Sequence, residues 1–495
     1  APERSPMRQI LSPSLSLAVG LTAVLSAQSR SEPAKPASRP NVLLIGVDDL
    51  NDWVGVLGGH PQASTPNIDR LAARGTLFAN AHCQAPVCAP SRASLATGRL
   101  PSTTGMYFLT PALAAEPSLR DTRTLTRRFA EEGYTTMGVG KIHHGNEKPF
   151  FGEYGGDMGG FGPLPDEKLI YPLEPRLWDW GPYPATDSEM PDSRVAGWAI
   201  DKLQQAHDEP FFLAVGFWRP HVPMYAPAHW FERIPLDDVQ LPAVLDTDRL
   251  DLPDYAKRLT IGHPAPRHEW FLENDQWRQA VQAYLATSSF VDACVGLVLD
   301  ALESSPHADD TIVVLFSDHG FHLGEKQRWA KRSLWERSTH VPLIVSAPGF
   351  EPGRSNQPVG LVDIYPTLLE LCGLNPEPGL DGHSMAPLIT DPDRANWPHA
   401  AVTTFGPGNH AVRDERWRYI RYADGSEELY DHATDPAEWH NLLAASAESP
   451  GDAIREVVET MREHLPTQDA ALRKGAERSS GYAAFRDAEE ARSRR

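Results

Sequence analysis

The sequence has little cysteine and few positive charges relative to negative ones. Only 4 of its 495 residues are cysteine, which excludes the dense disulfide framework of small secreted scaffolds. Its 46 Lys and Arg residues are outnumbered by 66 Asp and Glu residues, so the formal net charge is −20. Because there is also no long basic block, nucleic acid and anionic membranes are poor partners. An anionic substrate would have to be bound by a local cationic pocket.

The sequence also lacks a long apolar run. No stretch reaches about 18 consecutive apolar residues, so we expect no integral membrane span. The apolar segment LSLAVGLTAVLSA, residues 15–27, follows Met7 and Arg8 and precedes a polar, proline-rich stretch. This order is typical of a signal peptide and linker, which we assign to residues 1–38. The protein is therefore expected to be exported to a periplasm or to the exterior.

An α/β fold is predicted for most of the remaining chain. From Pro40 onward, apolar strand-like runs alternate with helical segments, which indicates a large, mainly parallel sheet flanked by helices. The five strand candidates are 41–47, 134–140, 210–217, 311–317 and 341–348. We assign these elements to a catalytic domain over residues 39–390.

A smaller subdomain is predicted for residues 391–495. Two strand-like runs flank a turn at Asp424-Gly425 and indicate a short antiparallel sheet. The stretch from about Thr467 onward is charged and poorly periodic, which is typical of a frayed or surface helix. We therefore expect a compact sheet followed by a charged tail.

Two of the strand candidates end in acidic residues. Asp48 and Asp49 follow the first candidate, and Asp318 and His319 follow the fourth. Ligands of open α/β sheets bind at the carboxyl ends of the strands, so these residues could converge there. Three carboxylates together repel one another unless a cation lies between them, and Ca²⁺ or Mg²⁺ suits such oxygen ligands, although His319 suits Ca²⁺ less well. The alternative is that each acidic pair only forms a turn or caps a helix.

The four cysteines differ in their surroundings. Cys294 and Cys372 lie in apolar helical patterns and are predicted to be buried thiols. Cys83 and Cys88 are five residues apart, so a disulfide, a pair of buried thiols and a reactive Cys88 all remain open. A thiol nucleophile of the cysteine-hydrolase kind would need a histidine base, and no sequence context for one is found.

Cys88 precedes a predicted helix. Pro90 follows it by two residues, a helix is expected from about Ser91 to Thr97, and Gly98 is its stop. The N-terminus of a helix offers unpaired N–H groups and a positive dipole end, where an oxyanion would bind. Arg92 could hold the same anion or the nucleophile.

The stretch CAPSRASLATG, residues 88–98, resembles the signature of the sulfatase family, Cys-x-Pro-Ser-Arg followed by Thr-Gly. Further similarity runs from NVLLIGVDDL through SDHGFHLGE to LYDHATDPAEWHNL and so covers nearly the whole exported chain. Within the family, PFFLAVGFWRPHVP and WAKRSLWERSTHVPLI are most similar to the iduronate-2-sulfatase branch and its bacterial relatives. The resemblance implies an alkaline phosphatase-like fold and an exo-acting hydrolase that removes sulfate from a sulfated carbohydrate.

The resemblance also implies a modified residue and a metal. In this family the signature cysteine, here Cys88, is oxidised to formylglycine by a formylglycine-generating enzyme, which is therefore an expected partner. The implied metal is Ca²⁺, with Mg²⁺ as a second choice. Its implied ligands are Asp48, Asp49, Asp318, His319 and the modified Cys88.

Several basic residues match the family's catalytic positions. Arg92 matches the arginine that holds the formylglycine hydrate. Lys141 and Lys331 match the two lysines that contact the sulfate oxygens. His221 matches the histidine on the side of the leaving group, where it would also bind the substrate.

One catalytic histidine is ambiguous in the segment GKIHHG. The spacing of most sulfatases selects His143, whereas the iduronate-type spacing selects His144, which we favour. Trp218 and His322 adjoin matched positions and are candidates for binding the substrate, although ordinary packing explains them equally well.

Two other functions stay open at this point. A phosphodiester or phosphonate monoester hydrolase of the same superfamily would use a similar site. A non-catalytic glycan-binding protein on an inactive sulfatase fold is the other alternative, against which the intact set of matched residues argues.

Overall fold

The computed structural model describes residues 39–119, 122–260, 265–444 and 451–493. The predicted signal peptide and linker, residues 1–38, lie outside the described residues. Within the described ranges, one helix, Trp277–Glu303, is long and apolar enough to cross a membrane. Because 83% of its apolar window is buried inside the fold, it has the character of a core helix.

Eighteen strands form in the described ranges. They are Asn41–Asp48 (β1), Thr76–Phe78 (β2), Ala81–His82 (β3), Thr135–Gly140 (β4), Glu153–Tyr154 (β5), Trp180–Pro182 (β6), Phe211–Pro220 (β7), Met224–Ala226 (β8), Thr311–Ser317 (β9), His322–Leu323 (β10), Trp329–Ala330 (β11), Leu343–Ser346 (β12), Gly353–Ser355 (β13), Val359–Gly360 (β14), Ala401–Thr404 (β15), His410–Arg413 (β16), Trp417–Arg421 (β17) and Glu427–Asp431 (β18). All five predicted strands are confirmed, with ends shifted by a few residues.

Fourteen α-helices are described in the same ranges. They are Pro66–Ala72 (α1), Cys88–Thr97 (α2), Pro101–Thr104 (α3), Leu125–Glu131 (α4), Pro191–Leu203 (α5), Ala228–Phe231 (α6), Asp254–Leu259 (α7), His268–Glu273 (α8), Trp277–Glu303 (α9), Glu336–Thr339 (α10), Ile364–Leu371 (α11), Ala386–Thr390 (α12), Asp452–Glu463 (α13) and Ser480–Ser493 (α14). Short 3₁₀ turns lie at Leu113–Ala115, Pro117–Leu119, Lys148–Phe150, Asp187–Glu189, Leu236–Asp238, Glu325–Gln327, Leu361–Asp363 and Ala476–Arg478.

An eight-stranded sheet is the centre of the fold. Its order is β13-β2-β12-β9-β1-β7-β4-β5. The pairs between β9, β1, β7, β4 and β5 are parallel, whereas β12 runs antiparallel to both of its neighbours. The prediction of a large, mainly parallel sheet is therefore confirmed.

The central strand β1 is buried on both faces. Leu43, Ile45 and Val47 belong to one core cluster, which α1, α5 and α9 cover. Val42 and Leu44 belong to a second cluster on the opposite face, covered by α4, α11 and α12. A strand enclosed in this way is apolar at nearly every position, which explains why the sequence shows it as a continuous apolar run.

A four-stranded antiparallel sheet, β15-β16-β17-β18, follows the large one, as predicted. One of its faces packs against Val458 and Met461 of α13. The other packs against Phe485 and Ala488 of α14. The prediction of a frayed or surface helix for the tail is wrong here, because Phe485 and Ala488 are buried.

Candidate active site

The carboxyl ends of β1 and β9 bring the predicted acidic residues together. The two strands pair in parallel, and the Asp49 backbone N–H donates to Asp318 Oδ1 at 3.1 Å. Asp48, Asp49 and Asp318 are all fully buried. Asp49 has a φ of 64°, a strained backbone conformation in which the Tyr284 hydroxyl from α9 donates to its carbonyl at 2.7 Å.

Cys88 is the first residue of α2 and lies directly beside these acids. The sequence predicts a start at Ser91, but the helix starts three residues earlier and ends at Thr97, where Gly98 follows with a φ of 64°. All four cysteines are free and buried, so the described chain contains no Cys83–Cys88 disulfide. Burial raises the pKa of the Cys88 thiol, although Lys141 and Lys331 act in the opposite direction. An unmodified thiol here is thus a weak nucleophile.

Four residues have the donor atoms and spacing of a metal site. One ligand atom from each of Asp48, Asp49, Cys88 and His319 lies within 4.8 Å of all the others. The Nδ1 atom of His319 lies 3.1 Å from the Gly320 carbonyl, to which it must donate, so Nε2 is left as the ligand atom. Burial raises the pKa of the Asp49 carboxyl to about 7, and a bound divalent cation would favour the charged form instead. The two carboxylates suit a hard cation such as Ca²⁺ or Mg²⁺, whereas the sulfur of Cys88 does not, so the group fits such an ion only if residue 88 offers an oxygen instead.

Each of the three buried carboxylates has its own cationic partner. Lys331 Nζ lies 2.6 Å from Asp49 Oδ1, Lys141 contacts Asp48, and Arg92 Nε donates to Asp318 Oδ2 at 2.7 Å. Asp318 therefore faces Arg92 and Asp49, beside the four-residue group rather than within it. Three negative and three positive charges balance one another in this buried centre.

Arg92 is held tightly from several sides. Its Nη1 donates to the carbonyls of Lys141 at 2.6 Å and Ile142 at 3.0 Å. Against the opposing effect of burial, this guanidinium holds the pKa of the Asp318 carboxyl well below its usual range. Arg92 thereby links α2 to the strand end that carries Lys141.

Lys141 follows β4, where the backbone of β7 passes very close. A Cβ at Gly216 would lie 1.9 Å from the Lys141 carbonyl oxygen, so only glycine fits. The Lys141 ammonium lies 5.0 Å from the centre of the Phe161 ring and 5.8 Å from that of Trp218. Trp218 thus contacts a predicted sulfate-binding lysine.

His221 faces the same centre from the loop after β7. Its Nδ1 donates to the Val222 carbonyl at 2.5 Å, and its Nε2 lies 3.9 Å from Asp49 Oδ2. Burial, together with Lys331 and Lys141, lowers the pKa of His221 well below its usual value. The ring is therefore neutral, with an acceptor nitrogen directed toward the centre.

The structure separates the two candidate histidines of GKIHHG. His144 lines the central cavity, whereas His143 Nδ1 donates to Glu147 Oε2 at 2.8 Å, and its ring packs on Phe150 with ring centres 4.1 Å apart. Burial and the nearby cations lower the pKa of His144 to about 3, so it is neutral. The geometry favours His144 as the residue that acts on the substrate.

Exchange of the two histidines for alanine should give different results. His144→Ala is expected to lower kcat by about 10²- to 10⁴-fold, the range of general acid–base catalysis. His143→Ala should lower kcat less than about tenfold and instead destabilise the fold by about 1–3 kcal/mol, because a buried hydrogen bond to Glu147 is lost. Steady-state kinetics and urea denaturation of both variants measure the two effects. Equal kinetic losses would contradict the assignment.

The charged centre forms the base of a cavity of about 300 Å³. Its lining combines apolar and aromatic side chains with cations: Phe161, Leu177, Trp178, Phe321, Trp329, Arg328, Lys331 and Arg332. Ser480 of α14 also borders it, although it is far along the sequence. His322 faces a separate cavity and lies 2.9 Å from the Ser333 hydroxyl, so nothing places it near the substrate.

Two supporting residues were missed at the sequence level. Glu147 accepts the backbone N–H groups of Ile142, His143 and His144 at 2.8–3.3 Å and so fixes the loop. Tyr284 supports the strained Asp49, as described above. An acidic residue three or four positions after the two histidines of GKIHH is a sequence feature that could have indicated the role of Glu147. Tyr284 shows only the apolar pattern of a core helix, so the sequence gives no indication of its role.

Comparison with known proteins identifies the family. The model described as "Sulfatase" matches residues 40–374, and the model described as "N-sulphoglucosamine sulphohydrolase, C-terminal" matches residues 324–470. A protein named "Sulfatase" from Formosa agariphila is 39% identical over 459 residues, covering 89% of each chain. The iduronate 2-sulfatase of Homo sapiens is 32% identical over 391 residues, covering 68% of this chain and 70% of its own.

Solved sulfatase structures share the alkaline phosphatase-like fold of this chain. A phosphonate monoester hydrolase from Silicibacter pomeroyi shares it as well, with a TM-score of 0.69, 22% identity, and coverage of 88% of this chain and 96% of its own. At that identity the likeness shows the fold alone. Because the family model spans residues 40–374 and the sequence relatives reach 39% and 32% identity, the chain belongs to the sulfatase family and is a sulfuric ester hydrolase.

Proposed function

We propose that this sulfatase removes sulfate from a sulfated carbohydrate and acts at the end of the glycan in the manner of iduronate 2-sulfatase. The observation that carries the proposal is the position of Cys88. It lies with the ligand atoms of Asp48, Asp49 and His319, all within 4.8 Å, at the base of an aromatic-walled cavity. The 32% identity to human iduronate 2-sulfatase supports a uronate substrate.

The buried cations would neutralise the sulfate oxygens. A sulfate monoester resists nucleophilic attack because its oxygens are anionic, so preorganised positive charge accelerates the reaction. Lys141 and Lys331 each contact one acid of the centre and carry the charge needed for that role. Arg92, fixed by two backbone carbonyls, would hold residue 88 in a constant orientation.

Two absent groups complete the site. A divalent cation, Ca²⁺ or Mg²⁺, would be held by Asp48, Asp49, His319 and the modified residue 88, with the adjacent Asp318 as a further ligand, and would supply further positive charge for the sulfate oxygens. Formylglycine at position 88 would supply a nucleophilic hydroxyl on a carbon that can afterwards release its substituent. The raised pKa of the unmodified thiol supports the need for that modification.

Proton transfer would fall to the surrounding basic residues. Lys331 remains protonated, because Asp49 and Cys88 raise its pKa against the effect of burial, and so it can protonate the departing sugar oxygen. His221 Nδ1 donates to a backbone carbonyl, so Nε2 is an acceptor, which suits binding of a substrate hydroxyl. Neutral His144 can accept a proton in the later release of sulfate.

We further propose that the protein is exported and matures with a formylglycine-generating enzyme. The apolar segment at residues 15–27 and the signature at residues 88–98 support these two statements. We propose no nucleic-acid partner and no integral membrane span for this protein.

The proposal is tested with protein coexpressed with a formylglycine-generating enzyme. Turnover of an aryl sulfate is compared with that of an aryl phosphodiester and a phenyl phosphonate ester, and then a panel of defined sulfated oligosaccharides is screened. We expect the aryl sulfate to be the best of the three simple esters and a terminal 2-O-sulfated uronate to be the best glycan. A markedly better phosphodiester would favour the phosphonate and phosphodiester hydrolases of the superfamily, and glycan binding without any turnover would favour an inactive homologue.

Removal of the metal should lower both activity and stability. Chelator-treated protein is expected to lose activity and to regain it with Ca²⁺, and Ca²⁺ at about 100 times its Kd should raise the free energy of unfolding by about 2.7 kcal/mol. Asp49→Asn should abolish most of that gain. Asp187→Asn, outside the four-residue group, should keep it. Denaturation curves with and without Ca²⁺ measure both variants, and an equal response would contradict the assigned ligands.

A further inference from the structure

The reaction centre is electrically balanced without the rest of the cavity. Its three carboxylates are matched in number by three cations: Lys141 pairs with Asp48, Lys331 with Asp49, and Arg92 with Asp318 and, at 3.4 Å, with Asp48. A divalent cation and a singly charged sulfate ester together add 2 − 1 = +1. No further cation is therefore needed to bind a substrate with only one negative charge.

Two additional arginines nevertheless line the cavity. Arg328 and Arg332 are buried, and they flank the segment that carries Lys331. Arg328 Nη2 donates to the carbonyls of Lys331 at 2.5 Å and Arg332 at 3.2 Å, which steadies this segment. Those two bonds occupy only one nitrogen of a guanidinium that has five N–H donors.

Arg328 supplies positive charge that no acid offsets. In the described part of the chain, its Nε and Nη1 have no hydrogen-bond partner, and no carboxylate lies within ion-pair distance. Burial, Arg249 and Arg332 together lower its pKa to about 9, so it is still charged at neutral pH. A buried charge without a counter-ion is costly and is tolerated where a ligand supplies the counter-ion.

Arg332 is the second of these arginines, and its guanidinium lies at the wall of the cavity. Its Nη2 donates to the Ser480 hydroxyl at 2.8 Å, and both residues border the cavity. Charges at Cys88 and Asp49 act on the pKa of Arg332, which burial lowers to about 10, so the guanidinium is charged and close to the reaction centre. The first residue of α14 therefore orients a cation at the wall of the cavity that Cys88 also lines.

We propose that Arg332, oriented by Ser480 and reinforced by Arg328, binds a second anionic group of the substrate. This group is a carboxylate or a further sulfate on the sugar that carries the scissile sulfate, or on the adjacent sugar. The proposal rests on the proposed function and adds which residues bind the second negative charge of the substrate. A planar guanidinium can hold either group through two parallel hydrogen bonds, and a cavity of about 300 Å³ accommodates a sugar unit.

The test compares substrates that differ only in the second charge. The probes are a 2-O-sulfated uronate glycoside, its carboxyl-reduced counterpart, a disulfated neutral hexose and the same hexose with only the scissile sulfate. For Arg332→Met, the ratio of kcat/KM between each doubly charged probe and its singly charged counterpart should fall by about 10- to 100-fold, the value of a hydrogen bond to a charged group. Ser480→Ala should lower the same ratio less, by about 2- to 10-fold, and through KM rather than kcat. Arg267→Met, an exposed arginine of the neighbouring cavity, is the matched control and should leave the ratio unchanged.

Binding provides a readout that is independent of turnover. The same probes are titrated calorimetrically into Cys88→Ala protein with and without Arg332→Met, and the doubly charged probes should bind about 10- to 100-fold more weakly to the double variant. A loss confined to the uronate identifies a carboxylate, a loss confined to the disulfated hexose identifies a sulfate, and a loss for both identifies a general anion site.

An unchanged preference in kinetics or binding would overturn the proposal. Failure of the unchanged protein to hydrolyse any sulfate would instead count against the proposed function, while the binding arm would still decide the role of Arg332.

Discussion

Replacement of Cys88 by alanine is expected to lower kcat/KM for sulfate esters by at least about 10⁴-fold, the scale on which enzymes lose rate when their nucleophile is removed. Alanine lacks the thiol whose oxidation and loss would leave an aldehyde on the Cβ carbon, so no formylglycine can form at position 88. It is also smaller than cysteine and fits the first turn of α2, so the fold should remain intact. The measurement is steady-state turnover of an aryl sulfate by purified, coexpressed proteins.

Cys83 provides the matched control for this variant. It is also a buried, free cysteine, and its thiol donates to the Ser338 carbonyl at 3.7 Å rather than facing the acidic centre. Cys83→Ala should therefore keep kcat/KM within about threefold, at a stability cost of the order of 1 kcal/mol. Aldehyde-specific labelling followed by mass spectrometry should detect formylglycine at position 88 in the unchanged protein and in Cys83→Ala. Full activity with an unmodified thiol at position 88 would contradict the proposed role of Cys88.

Replacement of Arg418 by methionine is expected to cause the largest loss of stability, about 3–5 kcal/mol, because it leaves buried carboxylates without their counter-ion. Arg418 lies on β17 with 1% of its side chain exposed, and its Nε is 2.6 Å from Glu438 Oε1. It also pairs with Glu336 and donates to the Leu334 carbonyl at 3.1 Å. The side chain thereby joins the antiparallel sheet to the segment that follows Lys331. Equilibrium urea denaturation, followed by tryptophan fluorescence, measures the loss.

Arg416, two residues earlier, is the control for Arg418. It pairs with Asp431 at 2.6 Å, but 54% of its side chain is exposed. Solvent screens such a pair, so Arg416→Met should leave the denaturation curve unchanged. The double variant Arg418→Met, Glu438→Gln should recover part of the stability, because one of the unpaired negative charges is removed with its partner. Equal urea midpoints for the Arg418→Met and Arg416→Met variants would show that the buried ion pairs of Arg418 do not stabilise the fold.

Much of the fold and the centre of the site could be predicted from the sequence. The strands β1, β7 and β9 are enclosed by helices on both faces, so they appear as continuous apolar runs that are easy to recognise. Since parallel neighbours end at the same edge, Asp48 and Asp318 could be placed together before their structure was known. The match to a long signature then assigned chemistry to Cys88, which spacing alone left open.

The parts that could not be predicted depend on contacts between distant segments. The early start of α2, which places Cys88 on the helix itself, is a boundary that sequence patterns define only to within a few residues. The role of Ser480 depends on how α14 docks, and the apolar positions Tyr482, Phe485 and Ala488, spaced three residues apart, were the signal that the tail is not a surface helix. The matching of three buried acids by three cations is a property of the assembled centre, so no local pattern predicts it.

The close contact between β1 and β9 has a consequence for how the molecule assembles during synthesis. The Asp49 amide bonds to a carboxylate 269 residues further along the chain, and Ser480 reaches the cavity only when α14 has been made. Contacts of such sequence separation form late and slowly, because a long loop must close before they contribute. The emerging chain therefore exposes the apolar edge of β1 until β9 leaves the ribosome, and it needs protection from aggregation over that interval. By the same reasoning, the delay would keep the segment that contains Cys88 accessible to the proposed maturation enzyme while most of the protein is still being synthesised.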